Sequence, residues 1–468
     1  MADERYDTLV IGAGLSGLAA GIRLAMFGKR VAVLERHYLW GGLNSFYKRG
    51  GRLFDSGMHA MTNYVPKGTR GTPLTRVCKQ LRIRHEELGL RPQVTSSVVC
   101  GGVTVNFSND ESLLIEEVAR AFPHCADRFV ALVDQLREIP LGSDDGATDS
   151  ARARLLDALG DPHLVDLILV PTCYYGSARE NDVDWDQFVI LFRSIFLEGL
   201  AMPGEGIRPF LKLFVDRLKD AGGELRLKSE VARVIVEDGA ARGVELTDGT
   251  VLEAETVISS AGWVETMNLC GPAYQAQVQP TDHGRLSFVE TISVLDRWPT
   301  AIREDMTSAV IFFSTGDRFR YEKPEDHVDL TSGVVSMPTN YADTPADHEG
   351  LFRVTVLADH DRWVSMDEEA YVAKKQAVST AALGAVTDFC ADVRPHEVFR
   401  DVFTPRTVHK YTAKLSGAIY GSPNKRRDGS TPIANLSLCG TDQGFLGVIG
   451  AAVSGIAIAT QHATQTAS

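Results

Sequence analysis

The sequence predicts an α/β fold made of a βαβ-built domain assembled from separated stretches of chain, an antiparallel-sheet domain and a helical insert. Three observations lead there. A short apolar strand over residues 6–11 runs through a glycine turn into a helix over about 15–27 and a second strand over 30–34. Residues 110–198 carry a largely helical pattern. Alternating apolar runs recur at 231–236, 241–246 and 251–259, and again between 285 and 358. At 468 residues the chain exceeds one ordinary domain, so two or three domains sharing a ligand crevice are expected.

The glycine turn at the start carries chemistry. In VIGAGLSGLAAG, Gly12, Gly14 and Gly17 stand at GxGxxG spacing, directly after a strand and at the opening of a helix. The first makes the tight turn, the second lets backbone approach a pyrophosphate, and the third lets helix and strand pack closely. The helix start, with Ala13 and Ser16 in the same turn, offers unpaired N–H groups and a partial positive charge to phosphates. Glu35 ends the next strand about 20 residues on, where a carboxylate accepts bonds from ribose hydroxyls and repels a 2'-phosphate. An exposed strand-end acid is the plainer reading of Glu35, but with Arg36 after it and the glycines before it, the stretch predicts a Rossmann-type dinucleotide domain.

The following elements are read in order. The stretch GGLNSFYKRGGRLFDSGMHAM is too rich in glycine for a regular element and reads as loop and hairpin. Asn109 and Asp110 can cap a helix running to Phe122, and VALVDQLREI repeats the helical spacing. Residues 186–203 place Phe188, Leu191, Phe192, Ile195, Phe196 and Leu197 along a broad apolar stripe, which serves either core packing or a lipid-facing entrance. In GIRPFLKLFVDRLKDAGG, Ile207, Phe210, Leu211, Phe214 and Leu218 share one face that packs on a sheet, and Gly222 and Gly223 stop the helix. Turns at Asp238-Gly239 and Asp248-Gly249 join the next three runs into a β-meander. The runs from 285 to 358 suggest an antiparallel sheet, followed by a helix from about 366 to 393.

The pattern VLE, a short spacer, Gly41 and Gly42 with Leu43, and then FDSGM resembles a large group of FAD-dependent oxidoreductases. That group contains phytoene desaturases, carotenoid isomerases, retinol saturases and amine oxidases. The resemblance implies that the glycine doublet lies along the FAD diphosphate and that Gly57 and Met58 lead to the flavin. The stretch from PGEGIRPF to VISSAG is similar to the group's second FAD-contacting segment, which implies that Val231 meets the adenine side through its backbone and that Ala261 and Gly262 lie close by. LSLCGTDQGFLGVIGAAVSGIAIA is similar to the closing motif, which implies that Gly440, Asp442, Gly447 and Val448 flank the cofactor. Asp442, where amine oxidases usually carry Glu, then bonds ribityl hydroxyls or pyrophosphate-side groups, and N–H groups near Gly447 and Val448 favour the reduced ring. FTPRTVHKYTAKLSGAIYG resembles the desaturases and saturases specifically.

The resemblance runs from residue 6 to 460, covering the cofactor domain well and the middle third poorly. It implies non-covalent FAD, with the FAD domain drawn from 1–65, 201–265 and 406–468, a helical cap over 66–200, and an antiparallel-sheet substrate domain with one helix over 266–405. The implied substrate is a hydrophobic isoprenoid or polyene, processed by desaturation, saturation or isomerisation with hydride transfer at flavin N5. Rival readings on the same scaffold are a hydroxysqualene dehydroxylase, an amine oxidase, and a non-enzymatic prenyl-binding chaperone resembling the Rab escort proteins.

His59, directly after FDSGM, is the candidate catalytic side chain, against the plainer reading of a loop histidine satisfied by backbone. Cys439 lies in an apolar strand and reads as a small buried hydrophobe. The run Lys425 to Arg427 reads as a solvated turn, with contact to anionic lipid as the alternative. No metal-ligand spacing and no nucleophile triad appear. A net charge of −13 argues against nucleic acid. Seven scattered cysteines without a CxxC pair argue against a disulfide framework and for a reducing cytoplasm. MADERYDTLVIGAG lacks the basic and apolar regions of a secretory signal, and no apolar run reaches the roughly 20 residues that cross a bilayer, so peripheral contact at the inner face is the expected membrane relation.

Overall fold

The computed structural model describes residues 4–140 and 148–465, so residues 1–3, 141–147 and 466–468 of the expected stretches lie outside the described residues. The first sheet has β1 (Glu4–Ile11) at its centre, hydrogen-bonded in parallel to β2 (Val31–Glu35) on one side and to Val251–Ser259 on the other. Glu224–Leu227 adds in parallel outside β2, and Leu436–Leu438 adds in parallel beside the end of Val251–Ser259. Every residue of β2 is buried, as expected of a strand covered on both faces. Val10, Val31 and Val33 face three packed helices: α1 (Leu15–Met26), Ile207–Asp220 and Gly447–Gln465. Leu9, Ile11, Ala32 and Leu34 face the opposite side, where Trp263, Val264 and Met267 close the core. A Cβ on Gly455 would lie 2.0 Å from the Ser16 carbonyl oxygen, so a glycine there lets the last helix lie directly on α1.

The meander exists, but it is not a separate unit. Val231–Glu237 and Ala240–Leu246 pair antiparallel, and the start of Val251–Ser259 continues them on one edge while the same strand runs parallel to β1 on its other edge.

The second sheet runs in the order Glu397–Phe403, Ser287–Leu295, Gly350–Ala358, Val328–Ser336, Val310–Ser314, Ser96–Cys100, Val103–Phe107. All its pairings are antiparallel except that of Val310–Ser314 with Ser96–Cys100. Its two faces are covered by different layers. Phe288, Phe312 and Val334 pack on the insert helices, whereas Val289, Ile311 and Phe313 pack towards the helix Glu368–Ala385.

Three differences from the sequence reading have physical reasons. Residues 96–107, expected within the helical insert, form two sheet strands joined at Gly101 and Gly102, both at positive φ. The helix expected to reach 393 ends at Ala385, and Glu397–Phe403 becomes the edge strand. The apolar stripe after Asp184 folds as helix Trp185–Phe192 and one π-helical turn, Arg193–Glu198, with Phe188, Leu191, Phe192, Ile195 and Phe196 all at most 3% exposed. That stripe is core, and the lipid-facing entrance is not there. Asp110 caps its helix as expected, accepting from Ser112 N. Among the described residues no helix is long and apolar enough to cross a membrane.

Candidate active site

A cavity of about 500 Å³ runs along the C-terminal ends of β1, β2 and Val251–Ser259 and continues to the second sheet. Ligands of open α/β sheets bind at such strand ends.

The glycine turn separates its roles as the spacing predicts. A Cβ on Gly12, which has φ +95°, would meet Ser260 Oγ at 2.5 Å, and one on Gly17 would meet the Gly12 oxygen at 2.0 Å. At Gly14 nothing lies within 4 Å, so that position opens to the cavity. Gly41 donates its N–H to the Ala13 oxygen at 2.8 Å, and the Cβ direction of Gly42 (φ +60°) points at Gly14 Cα, 3.4 Å away. The doublet therefore lies directly across the turn, leaving a bare backbone floor that side chains would fill. Glu35, 8% exposed, accepts from Ala13 N (2.8 Å) and His37 N (2.9 Å) and faces the cavity, which locks its carboxylate at the strand end.

Of the other expected cofactor residues, Ser16, Arg36, Leu43, Gly57, Met58, Val231, Ala261, Gly447 and Val448 also line the cavity. Gly447 and Val448 open the Gly447–Gln465 helix, whose first N–H groups have no partner within the helix. Ala13 and Gly17 are internal to the turn, and Gly262 and Gly440 lie behind the lining at positive φ. Asp442 differs from expectation: it is 2% exposed and accepts from Trp263 N at 2.6 Å and Ser422 N at 2.9 Å. Its carboxylate ties the closing motif to the second segment, and its neighbour Thr441 lines the cavity instead. The open floor at Gly14 and Gly42, the two helix N-termini and the anchored Glu35 fit a dinucleotide cofactor.

The far end of the cavity is walled by Tyr174, Tyr175, Phe288, Tyr420, Phe445 and Leu446. His59 reaches it. Its Nε2 lies 3.1 Å from Glu290 Oε1 and 2.7 Å from Thr355 Oγ1, and its ring stacks on Tyr175 at 12° between planes. Behind it Glu290 and Arg353, both under 5% exposed, form an ion pair with Nε to Oε1 at 2.7 Å. Burial opposes the charge on Glu290, yet the Arg353 guanidinium and the His59 contact hold its carboxyl down at about 2. Arg353 also donates to the carbonyl oxygens of Met58 (2.8 Å) and Asp55 (3.2 Å).

Sequence reasoning missed Glu290, Arg353 and Thr355. The available signal was a charge in an otherwise apolar run, FVETISVL and LFRVTVLA, on what become paired strands: Glu290 faces Thr355 and Ile292 faces Arg353 in the register. It also missed Lys414, 7% exposed, which lines the cavity and donates to the Ala261 oxygen at 2.6 Å. Burial disfavours its charge, but Glu265 and Asp442 together raise its pKa.

The run Lys425 to Arg427 is not a solvated turn. Lys425 Nζ donates to the Tyr420 oxygen at 2.6 Å and burial lowers its pKa to about 8; Arg426 sits 3.4 Å over the Trp263 ring, and Arg427 pairs with Asp186. Cys439 is buried as expected, and burial pushes its thiol up to about 12. Among the described residues the one group of potential metal ligands, His124, Cys125 and Asp161, lies away from the cavity, with His124 and Asp161 already bonded to each other at 2.7 Å.

Comparison with known proteins bears on this arrangement. The family of flavin-containing amine oxidoreductases matches residues 15–461. Prolycopene isomerase 2, chloroplastic, of an Oncidium hybrid cultivar is 23% identical over 97% of this chain and 83% of its own length. All-trans-retinol 13,14-reductase of Danio rerio is 22% identical over 96% of this chain and 84% of its own. Among solved structures, an oxidoreductase from Methanosarcina mazei superposes with a TM-score of 0.65 at 18% identity, covering 96% of this chain and 99% of that one.

Proposed function

The chain belongs to the family of flavin-containing amine oxidoreductases, and from that premise we propose that it binds FAD non-covalently and acts on a hydrophobic isoprenoid or polyene. The observation that carries the substrate class is the far wall of the cavity. It is aromatic and aliphatic, and the carboxylate there, Glu290, is already neutralised by Arg353. An ammonium substrate entering it would be desolvated without an anion to meet, which costs far more than a hydrocarbon pays. A hydrocarbon gains about 0.8 kcal/mol per CH2 buried. The relatives named for prolycopene and retinol support the same class.

The residues divide the work. Gly14 and Gly42 admit the diphosphate, Glu35 receives ribose hydroxyls, and the helix start at Gly447 and Val448 presents N–H groups to the electron-rich end. Bound there, a flavin supplies hydride transfer at N5. Tyr174, Tyr175 and Phe288 exclude water from the substrate, and His59 takes up or returns the accompanying proton. Desaturation, saturation and double-bond isomerisation all fall within this chemistry, and a lipid-soluble substrate brings the protein to a membrane surface as a peripheral, cytoplasmic visitor.

The test is an absorbance spectrum of the purified protein followed by anaerobic mixing with polyenes and retinoids in liposomes. A yellow protein bleached by one of these lipids supports the reading. A colourless protein refutes the cofactor, and bleaching by a primary amine, with peroxide formed once air is admitted, refutes the substrate class.

A further inference from the structure

The ion pair behind His59 decides which of its two nitrogens the cavity meets. A carboxylate offers only lone pairs, so a ring nitrogen bonded to it must carry the proton. Glu290, kept ionised by its buried ion pair with Arg353 at 2.7 Å, therefore requires Nε2 of His59, 3.1 Å away, to be an N–H donor. Thr355 Oγ1, at 2.7 Å, shares that proton as a second acceptor. A neutral imidazole has one proton, which leaves Nδ1 with its lone pair. Among the described residues Nδ1 has no hydrogen-bond partner, and the His59 side chain, 12% exposed, lines the cavity.

We propose that Glu290 and Arg353 are positioning residues that keep His59 in the Nε2-protonated tautomer, so that Nδ1 accepts a proton from the substrate. The proposal deepens the reading above and rests on its placing the reaction at this end of the cavity. In that step an X–H bond of the substrate breaks, its electron pair stays on the substrate, and an N–H bond forms at Nδ1. The imidazolium so formed lies beside a carboxylate that is already ionised, so its charge is met without rearrangement.

One guanidinium serves both ends of the device. Arg353 Nε holds Glu290, while Nη1 and Nη2 hold the carbonyls of Met58 and Asp55, the chain that carries the imidazole. The other groups facing His59 leave this assignment intact. Tyr341 and Ser336 donate to the His59 carbonyl, Tyr175 presents its ring, and the Asp55 carboxyl is turned away to Ile207 N.

The experiment is a two-bond ¹H–¹⁵N correlation spectrum of the holoprotein labelled at histidine nitrogen, with the His59 signals assigned from His59→Gln. The expected result is the Nε2–H pattern at neutral pH and, in Glu290→Gln, a mixed tautomer. A wild-type Nδ1–H pattern, or an unmixed Nε2–H pattern in a Glu290→Gln protein that retains its secondary structure, overturns the proposal. Should Glu290→Gln not fold, Thr355→Val keeps the ion pair and decides the matter: the Nε2–H pattern must persist, and its loss means that Thr355, not Glu290, sets the tautomer. A colourless preparation overturns the flavin reading alone, because the tautomer is set by protein groups and stays readable without cofactor.

Discussion

Arg353→Met removes the cation from a site where its carboxylate partner cannot reach water. Arg353 and Glu290 are 3% and 4% exposed, and methionine fills much of the arginine stem while leaving Glu290 uncompensated. The magnitude follows from the pKa. In the native protein the Glu290 carboxyl lies at about 2 against an ordinary value of 4.5. At about 1.4 kcal/mol per pH unit, that depression corresponds to about 3 kcal/mol of native stability from Arg353 and His59 together, net of burial, and removing Arg353 alone is set by the 3–5 kcal/mol typical of breaking a buried pair. Because the folded pKa is lowered, the contribution is fully present above 4.5 and disappears as pH falls through about 2. Urea unfolding of wild type and Arg353→Met, followed by circular dichroism at pH 7 and at pH 3, measures it. The variant is expected to lose about 3 kcal/mol at pH 7 and clearly less at pH 3, where Glu290 in the variant is protonated. A loss below about 1 kcal/mol at pH 7, or one that does not shrink on acidification, refutes the reasoning.

Gly14→Val and Gly17→Ala test the glycine turn from opposite sides. The Cβ of the first meets no protein atom within 4 Å, so it should fold with native circular dichroism but retain no flavin, whereas the second places a Cβ 2.0 Å from the Gly12 oxygen and should fail to give soluble protein. Flavin content like wild type in Gly14→Val would falsify the placement of the diphosphate. Glu35→Ala strands the N–H groups of Ala13 and His37, so it should weaken flavin retention in dialysis and cost about 1–3 kcal/mol in urea, and unchanged retention means that the ribose is held elsewhere. Asp442→Asn should cost about 1–3 kcal/mol of stability, because one backbone N–H of Trp263 or Ser422 then meets an NH2 group, while flavin affinity stays near wild type. A selective loss of flavin affinity would return Asp442 to the ribityl role suggested by resemblance.

The parts of the molecule legible in the sequence are those where function is read from local spacing. The GxGxxG turn and the glycine doublet act through backbone, and the Glu35 carboxylate ends the strand between them, all within 31 consecutive residues, so the spacing alone says which glycine is open and which is packed. The helix Ile207–Asp220 was legible for the same reason, since its period of apolar residues is the period of its buried face. The strands at 96–107 were not, because five-residue runs with a glycine pair between them are consistent with strand or loop until a partner strand is known.

By itself the sequence determined the βαβ start with its tight glycine turn, bare backbone floor and helix start, since each demands particular residues at fixed spacing. Only the tertiary structure decided what faces the substrate. Glu290 and Arg353 lie 63 residues apart and meet because two strands pair in one register, and His59 comes 231 residues before Glu290, from the loop after the first hairpin. Asp442 has a residue type that suits a ribityl contact, yet the fold turns its carboxylate onto two backbone N–H groups. Direction and partnership of a side chain depend on which elements pack against it, and that information is distributed over the whole chain rather than held in any one motif.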